Sequence, residues 1–233
     1  MLKQKAALFW SGGKDSAFTL YTIQKKYPQF DIVLLVTTVN QEFKRISMHG
    51  VREEMLDKQG EAIGIPLQKM RVPNEPTNSA YEKALHLTLS GLKESGIDFI
   101  VFGDIFLEDL KEYRDRILKA HDLTGVYPLW KKDTSVLIKD FISSGFHTIT
   151  CCINNAYLPK SWLGKEINKA FINDLPEGVD PCGENGEFHT FCFEGPIFNQ
   201  PITITKGEEK FVPLNIKTDS SEKETGFWYI DLY

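Results

Sequence analysis

Ala6-Ala7-Leu8-Phe9-Trp10-Ser11-Gly12-Gly13-Lys14-Asp15-Ser16 is the stretch around which the rest of the chain is organised. Ala6–Trp10 is an apolar run of the length of a buried strand. Ala17–Lys26, apolar at Ala17, Leu20, Tyr21 and Ile23, has the period of a helix. A strand, paired glycines and a helix start make an anion site. The glycines let the backbone come close, the first helical N–H groups point outward, and the helix dipole favours negative charge. Lys14 adds a mobile cation for phosphate oxygens. Spacing excludes two other phosphate loops. A Walker A loop would need Gly where Leu8 stands and Ser or Thr where Asp15 stands, and G-x-G-x-x-G fails because Gly12 and Gly13 are adjacent.

Working outward, Tyr27-Pro28 ends the helix and Ile32–Val39 reads as a second buried strand. A helical pattern runs to Ile63, and Leu67–Val72 reads as a third strand. Tyr81, Leu85, Thr88, Leu89 and Leu92 trace one helix face, ending near Gly96. Phe99–Phe102 is a fourth strand running into Gly103-Asp104. A helix with a charged face follows over Leu107–Leu118, then a helix over Asp133–Ser144 and a strand over His147–Ile153. Strands and helices alternating from residue 4 to about 154 predict an α/β fold: a Rossmann-like parallel sheet with helices on both faces. Ligands of such sheets bind beyond the carboxyl ends of the strands at a switch point, and Ser11–Ser16 and Gly103-Asp104 both fall at such ends.

Beyond residue 155 the texture changes. Asn155–Leu163 is loop-like, Lys165–Leu175 reads as a helix, and Pro176–Gly186 is rich in Gly and Pro. Short β-like runs follow at His189–Phe193, Ile202–Thr205 and Gly226–Leu232, while the polar stretch 218–225 reads as a mobile loop. The expected organisation is a larger unit over 1–154, which carries the phosphate loop, and a smaller α+β unit over 155–233. Within the latter, Glu184-Asn185-Gly186-Glu187-Phe188-His189-Thr190 is a glycine turn carrying two carboxylates, an imidazole and a hydroxyl. By composition alone it reads as an exposed turn with solvated charges.

Two motifs together resemble a known family. Ser11–Ser16 matches every position of S-G-G-x-D-S, the PP-loop of the N-type ATP pyrophosphatase superfamily, also called adenine nucleotide α-hydrolases. Glu184–Thr190 is similar to E-G-G-E-F-E-T of the diphthine–ammonia ligases within it, departing at Asn185 and His189. Met48-His49-Gly50-Val51, Gly103-Asp104-Ile105 and Tyr127-Pro128-Leu129-Trp130 also look like blocks of that family.

The resemblance implies an AMP-forming carboxylate–ammonia ligase that uses ATP and Mg²⁺. A substrate carboxylate attacks the α-phosphorus, pyrophosphate leaves, and ammonia displaces AMP to give an amide. On the matching positions it implies that Lys14 and the amides of Gly12 and Gly13 hold pyrophosphate, with Ser11 and Ser16 donating to phosphate oxygens. Asp15 caps the helix or meets the metal, and Asp104, beside Gly103, is the best further carboxylate for Mg²⁺; the full metal ligand set stays open. Thr37, Thr38, Met48 and His49 are placed near the adenine, with His49 alternatively a base. Glu184, Asn185, Glu187, His189 and Thr190 are the acceptor-site candidates, binding ammonium or relaying a proton. No glutaminase segment fits the length, so the nitrogen source is free ammonia.

Composition bounds the alternatives. The chain has 233 residues, 42% of them hydrophobic, a net charge of −5 and four cysteines. No run approaches the ~20 apolar residues of a membrane span, no signal-peptide pattern opens the chain, and cysteine usage fits a reducing, cytoplasmic setting. Cys151 and Cys152 point to opposite faces of one strand, and Cys182 and Cys192 lack C-x-x-C spacing, so core thiols are expected. The acidic balance and the missing C-x-x-C argue against the rival reading, a PP-loop enzyme that modifies tRNA or another acceptor. A non-catalytic adenine-nucleotide-binding protein is the other alternative, and the sequence allows a homodimer.

Overall fold

A computed structural model describes residues 3–46, 49–73, 77–214 and 225–233. Met48 and residues 218–224, both named above, lie outside the described residues. Parallel strands β1 (Gln4–Phe9), β2 (Phe30–Asn40), β4 (Leu67–Val72), β5 (Phe99–Val101) and β6 (Thr124–Val126) lie side by side in the spatial order β4-β2-β1-β5-β6. Helices α1 (Lys14–Lys26), α2 (Glu53–Ile63), α3 (Asn78–Glu94) and α4 (Glu108–Lys119) connect them. The chain winds outward from β1 to β4, then crosses back to β5 on β1's other edge. The switch point lies between β1 and β5, so the loops leaving these two strands form the crevice in which such sheets bind ligands.

Ala6, Ala7 and Leu8 are fully buried, as a central strand covered on both faces requires. A two-residue strand β3 (Arg45–Ile46) pairs antiparallel with Val39 and Asn40 of β2. It was not foreseen, and neither was β6: two or three residues carry too little periodicity to be read.

His147–Ile153 is the main correction. The strand β7 (His147–Asn154) leaves the parallel sheet and joins a second sheet of order β8-β7-β10-β9, with every pairing antiparallel. Its partners are β8 (Phe188–Glu194) and β10 (Gly226–Leu232), with β9 (Lys206–Pro213) at the outer edge. An apolar strand following a helix announces burial but does not say which sheet it enters.

Ile202–Thr205 is not a strand. Ile202 is buried and donates its N–H to the Phe193 carbonyl, and the strand begins after it as the polar β9. The charges of Glu208, Glu209 and Lys210 are typical of a protected edge and disguise a strand in composition. The helix expected over Lys165–Leu175 shortens to α6 (Lys169–Asp174), because Asn168 caps it by accepting from the Phe171 N–H. Ahead of the cap, Glu166 bridges to Ile149 of β7.

The second sheet packs on α1. Phe18 meets Phe141 of α5 (Thr134–Ser143) and Phe146 edge-on, and one apolar cluster joins β1 and α1 to β7 and β8. All four cysteines are free and buried, as expected. Among the described residues no helix is long and apolar enough to cross a membrane.

A polar clasp ties β10 to the segment that carries His49. Asp231 accepts from Arg45 Nη1 at 2.8 Å and from Arg52 Nε at 2.9 Å and Nη2 at 2.5 Å. Arg45 also donates to the Gly50 carbonyl at 2.7 Å. Gly50 has φ +69°, and a Cβ there would stand 2.6 Å from the Tyr229 ring, so only glycine lets the strand approach. The Arg52 hydrogen bonds, with help from Arg45, hold the Asp231 carboxyl down at about 2 despite partial burial. A depressed carboxylate stabilises the fold above its unfolded value of about 3.9, and that contribution is lost as pH falls toward 2. Asp231→Asn is therefore expected to lower the melting temperature at pH 7 but to converge with wild type by pH 2. Melting curves across that range check it.

Candidate active site

Each element of the loop is held by something outside it. Gly12 takes φ +78°, and a Cβ there would lie 2.7 Å from Gln59 Oε1 and 2.8 Å from Leu56, so the turn requires glycine. Gln59 of α2 is fully buried. It accepts from the Trp10 indole N–H at 2.8 Å and donates to the Gly12 carbonyl at 2.9 Å and the Cys192 carbonyl at 2.6 Å. The Cys192 N–H also donates to the Gly12 carbonyl at 2.9 Å. Gly13 begins α1 without a side-chain cap, and a Cβ there would press on Thr190 and His49. Neither Ser11 nor Asp15 caps this helix. The Ser11 hydroxyl accepts from the Gly13 N–H and donates to Ser16 Oγ, which donates to the Gly13 carbonyl.

The Lys14 N–H donates to Thr190 Oγ1 at 2.9 Å, so the second sheet completes the first turn of α1. Its ammonium, with the side chain 5% exposed, sits 2.8 and 2.7 Å from the two Asp15 oxygens. Burial pulls the Lys14 pKa down, but Asp15, with Cys182 and Glu184, more than offsets it and raises it overall. Lys14 is a fixed cation at any working pH.

Around this loop opens a cleft of about 590 Å³. Thr37 and Thr38 of β2 line one end together with His49, where the adenine was expected. Gly103 and Asp104 follow β5, and a Cβ at Gly103 would stand 3.2 Å from the Asp15 backbone. Glu184, His189 and Thr190 close the cleft from the second sheet, with Cys182 beside them.

Of the expected site residues, the loop glycines Gly12 and Gly13 and the acceptor candidates Asn185 and Glu187 do not line it. Asn185 is exposed on the turn. Glu187 is fully buried, accepting from the Asp180 and Asn185 N–H groups at 2.9 Å and from Asn185 Nδ2 at 3.1 Å. Its carboxylate builds the turn that aims Glu184. Asp180 does the same from below, accepting from the Cys182 N–H and the Thr134 hydroxyl. Gln59, Asp180 and Arg114 carry no motif signal, because their roles come from partners distant in sequence.

Electrostatics separates the carboxyl groups. Burial, then the nearby Asp15 and the more distant Asp180 and Asp104, push Glu184 up to about 8 against the pull of Lys14. Its surroundings thus favour the protonated form of Glu184, which can donate a hydrogen bond. Burial, opposed by Arg114 and reinforced by Asp15, also raises Asp104. Asp15, Asp104 and Glu184 thus press on one another, and a cation among them would relieve the repulsion. Among the described residues no group of three His, Cys, Asp or Glu side chains forms a ready metal cage. That donor set suits Mg²⁺ carried in with phosphates and held by one or two carboxylates.

His189 lies against His49, with ring centroids 4.6 Å apart and the ring planes tilted by 37°. Burial, and then Lys14, lower the His189 pKa to about 4, so the imidazole is neutral. Between about 6.5 and 4 only the unfolded chain takes up this proton, so stability falls as pH drops through that window. His189→Gln should remove this part of the acid destabilisation, a difference readable in denaturant midpoints at pH 7 and pH 4.5.

The model of the Diphthamide synthase N-terminal domain matches residues 4–124, and that of the Diphthamide synthase C-terminal domain matches residues 133–220. A diphthine–ammonia ligase of Danio rerio is 28% identical over 232 residues, covering 88% of this chain and 90% of its own length. The Homo sapiens protein of that name is 26% identical, covering 88% and 84%. Among solved structures, the U34-tRNA thiolase NcsA of Methanococcus maripaludis is 18% identical with a TM-score of 0.39, covering 61% of this chain and 58% of its own. With the first of these models matching more than half of the chain and the second most of the remainder, the chain belongs to the diphthamide synthase family.

Proposed function

We propose that this chain is an ATP-dependent ligase that activates a substrate carboxylate as an acyl-adenylate, with release of pyrophosphate, and passes the acyl group to ammonia. The observation that carries the reading is that one cleft joins the Ser11–Ser16 loop at the switch point to the Glu184–Thr190 turn of the second sheet. The relatives named diphthine–ammonia ligase support the same chemistry.

In this reading Lys14 holds the negative charge that grows on the leaving pyrophosphate, in a cleft where a preoriented charge is worth more than in water. Asp15 and Asp104 are the residues that would hold Mg²⁺, which neutralises phosphate charge when bound. Glu184 and His189 face the acceptor. His189 presents a neutral nitrogen to incoming ammonia or to the proton it sheds, and Glu184 presents an O–H. The nucleotide lies on the parallel sheet, and the second sheet, with β7 counted in it, brings Glu184 and His189 over the reacting carboxylate. Diphthine is the acceptor named for the relatives, and the Asn185 and His189 departures make it the first to test against other carboxylates.

Incubation with ATP, Mg²⁺ and ammonium, with and without carboxylate acceptors, should release AMP and pyrophosphate in an acceptor-dependent manner. ADP and phosphate as products, or nucleotide binding with no turnover on any acceptor, would reject the reading.

A further inference from the structure

The end of the cleft away from β2 has a different character. Tyr81 of α3, Phe102 and Leu107 of the loop after β5, and Leu110 of α4 wall it, and Arg114 of α4 reaches into it. An adjoining recess of about 40 Å³ continues the apolar lining under Phe9, Leu85 and Leu89. The Arg114 guanidinium lies over the Phe102 ring, 4.1 Å from its centroid, with Nε 3.1 Å from Asp104 Oδ2. The two groups are close enough for an ion pair but are not aligned for a hydrogen bond. Among the described residues neither Nε nor Oδ2 has a hydrogen-bond partner, although both are buried from solvent. A guanidinium offers five donors in a rigid fork, and a buried polar group left without partners is costly. Here the fork is held in place by an aromatic face and one carboxylate, and its Nε–H has no aligned acceptor. Such a group in a native fold calls for an explanation, and a ligand is the simplest one.

The chemistry of that ligand follows from the walls. A planar donor fork matches a carboxylate bidentately. Aromatic and leucine side chains around it suit a carbon stem rather than the hydrated oxygens of a triphosphate, for which Lys14 and the start of α1 already provide. Asp104 stands between Arg114 and the Asp15 side of the loop, since it follows Gly103, which packs on the Asp15 backbone. A carboxylate on Arg114 thus arrives at the carboxylate-rich edge of the phosphate site.

We propose that Arg114 is the binding residue for the acceptor's carboxylate, and that the acceptor is a carboxylic acid on an apolar, aryl or alkyl stem lying between Tyr81, Phe102 and Leu110. The subsequent adenylation rests on the ligase reading above; the binding does not.

The test is calorimetric binding of 3-phenylpropionate and hexanoate to the full chain with Mg²⁺ and α,β-methylene-ATP, which cannot release pyrophosphate. Wild type should bind both acids, and 3-phenylpropanamide should bind at least about tenfold more weakly. Arg114→Gln should weaken the acids at least about tenfold while leaving the nucleotide Kd within about twofold. Arg114→Lys, which keeps the charge beside Asp104 but loses the fork, should fall between and guards against a folding defect in the first variant. The inference is overturned if wild type binds neither acid, if the amide binds as well as the acid, or if both variants bind the acids like wild type. A tenfold loss of nucleotide affinity in Arg114→Gln also overturns it, since Arg114 would then be a phosphate ligand. No turnover enters these readouts, so carboxylate binding with no AMP release would sink the ligase reading alone.

Discussion

Lys14→Ala is expected to lower acceptor-dependent AMP formation by about 10²–10³ in kcat/KM, the loss of about 2.7–4 kcal/mol that follows removal of one preoriented charge stabiliser. The effect should be chemical rather than structural. The main-chain N–H of residue 14, which ties the loop to Thr190 Oγ1, survives the substitution. Asp15, whose side chain is 29% exposed, can be solvated once its partner is gone. The melting temperature should therefore move by only a few degrees while turnover collapses. Lys14→Arg should rescue little, since the buried ammonium fits between two Asp15 oxygens as a compact point charge and a planar fork does not. Steady-state assays of AMP release, paired with melting curves, decide it. Activity within about threefold of wild type would remove Lys14 from the chemistry.

Gln59→Leu should have the largest effect on stability, with no contact to substrate. Leucine fills similar space but leaves the Trp10 indole N–H without its acceptor and the Cys192 carbonyl without its Gln59 donor, inside a site with no exposure. At about 1–3 kcal/mol for each buried group left unsatisfied, a loss of about 3–5 kcal/mol is expected. In a chain of this size that lowers the melting temperature by roughly 10 °C or more. Gln59 also holds the Gly12 carbonyl, so the loop should loosen and nucleotide affinity should fall with stability. A double substitution tests the cause. Trp10→Phe removes the stranded N–H, so Trp10→Phe/Gln59→Leu should be less destabilised than the sum of the single changes. Strict additivity in urea unfolding would show that lost packing, not the orphaned donor, is responsible.

The regular elements of the first sheet were legible because they rest on local rules. The apolar run before the loop, the glycine pair and the helical period after it sit together in sequence, and the φ of +78° at Gly12 explains the residue found there. The same local logic correctly placed Gly103-Asp104 beside the loop. It went astray where local pattern underdetermines the outcome. β7 looks like any buried strand, and β9 looks like a charged loop because an edge strand keeps charges for its own protection. Glu187 looked like a site carboxylate beside Glu184. One turned inward to hold the turn and the other stayed at the cleft, a choice made by whether N–H groups or solvent faced each side chain.

The sequence by itself determined a phosphate loop between a buried strand and a helix, and the α/β class around it. Sterics, glycine freedom and hydrophobic period act over a few residues, so these features need no knowledge of the rest of the chain. Tertiary structure alone decided what completes the loop. The Lys14 N–H reaches Thr190 across 176 positions, Gln59 joins Trp10 and Cys192 across 49 and 133, and Arg114 lies on Phe102 beside Asp104. Each of those contacts pairs a polar or charged group with a partner that only the packing of two sheets brings within reach.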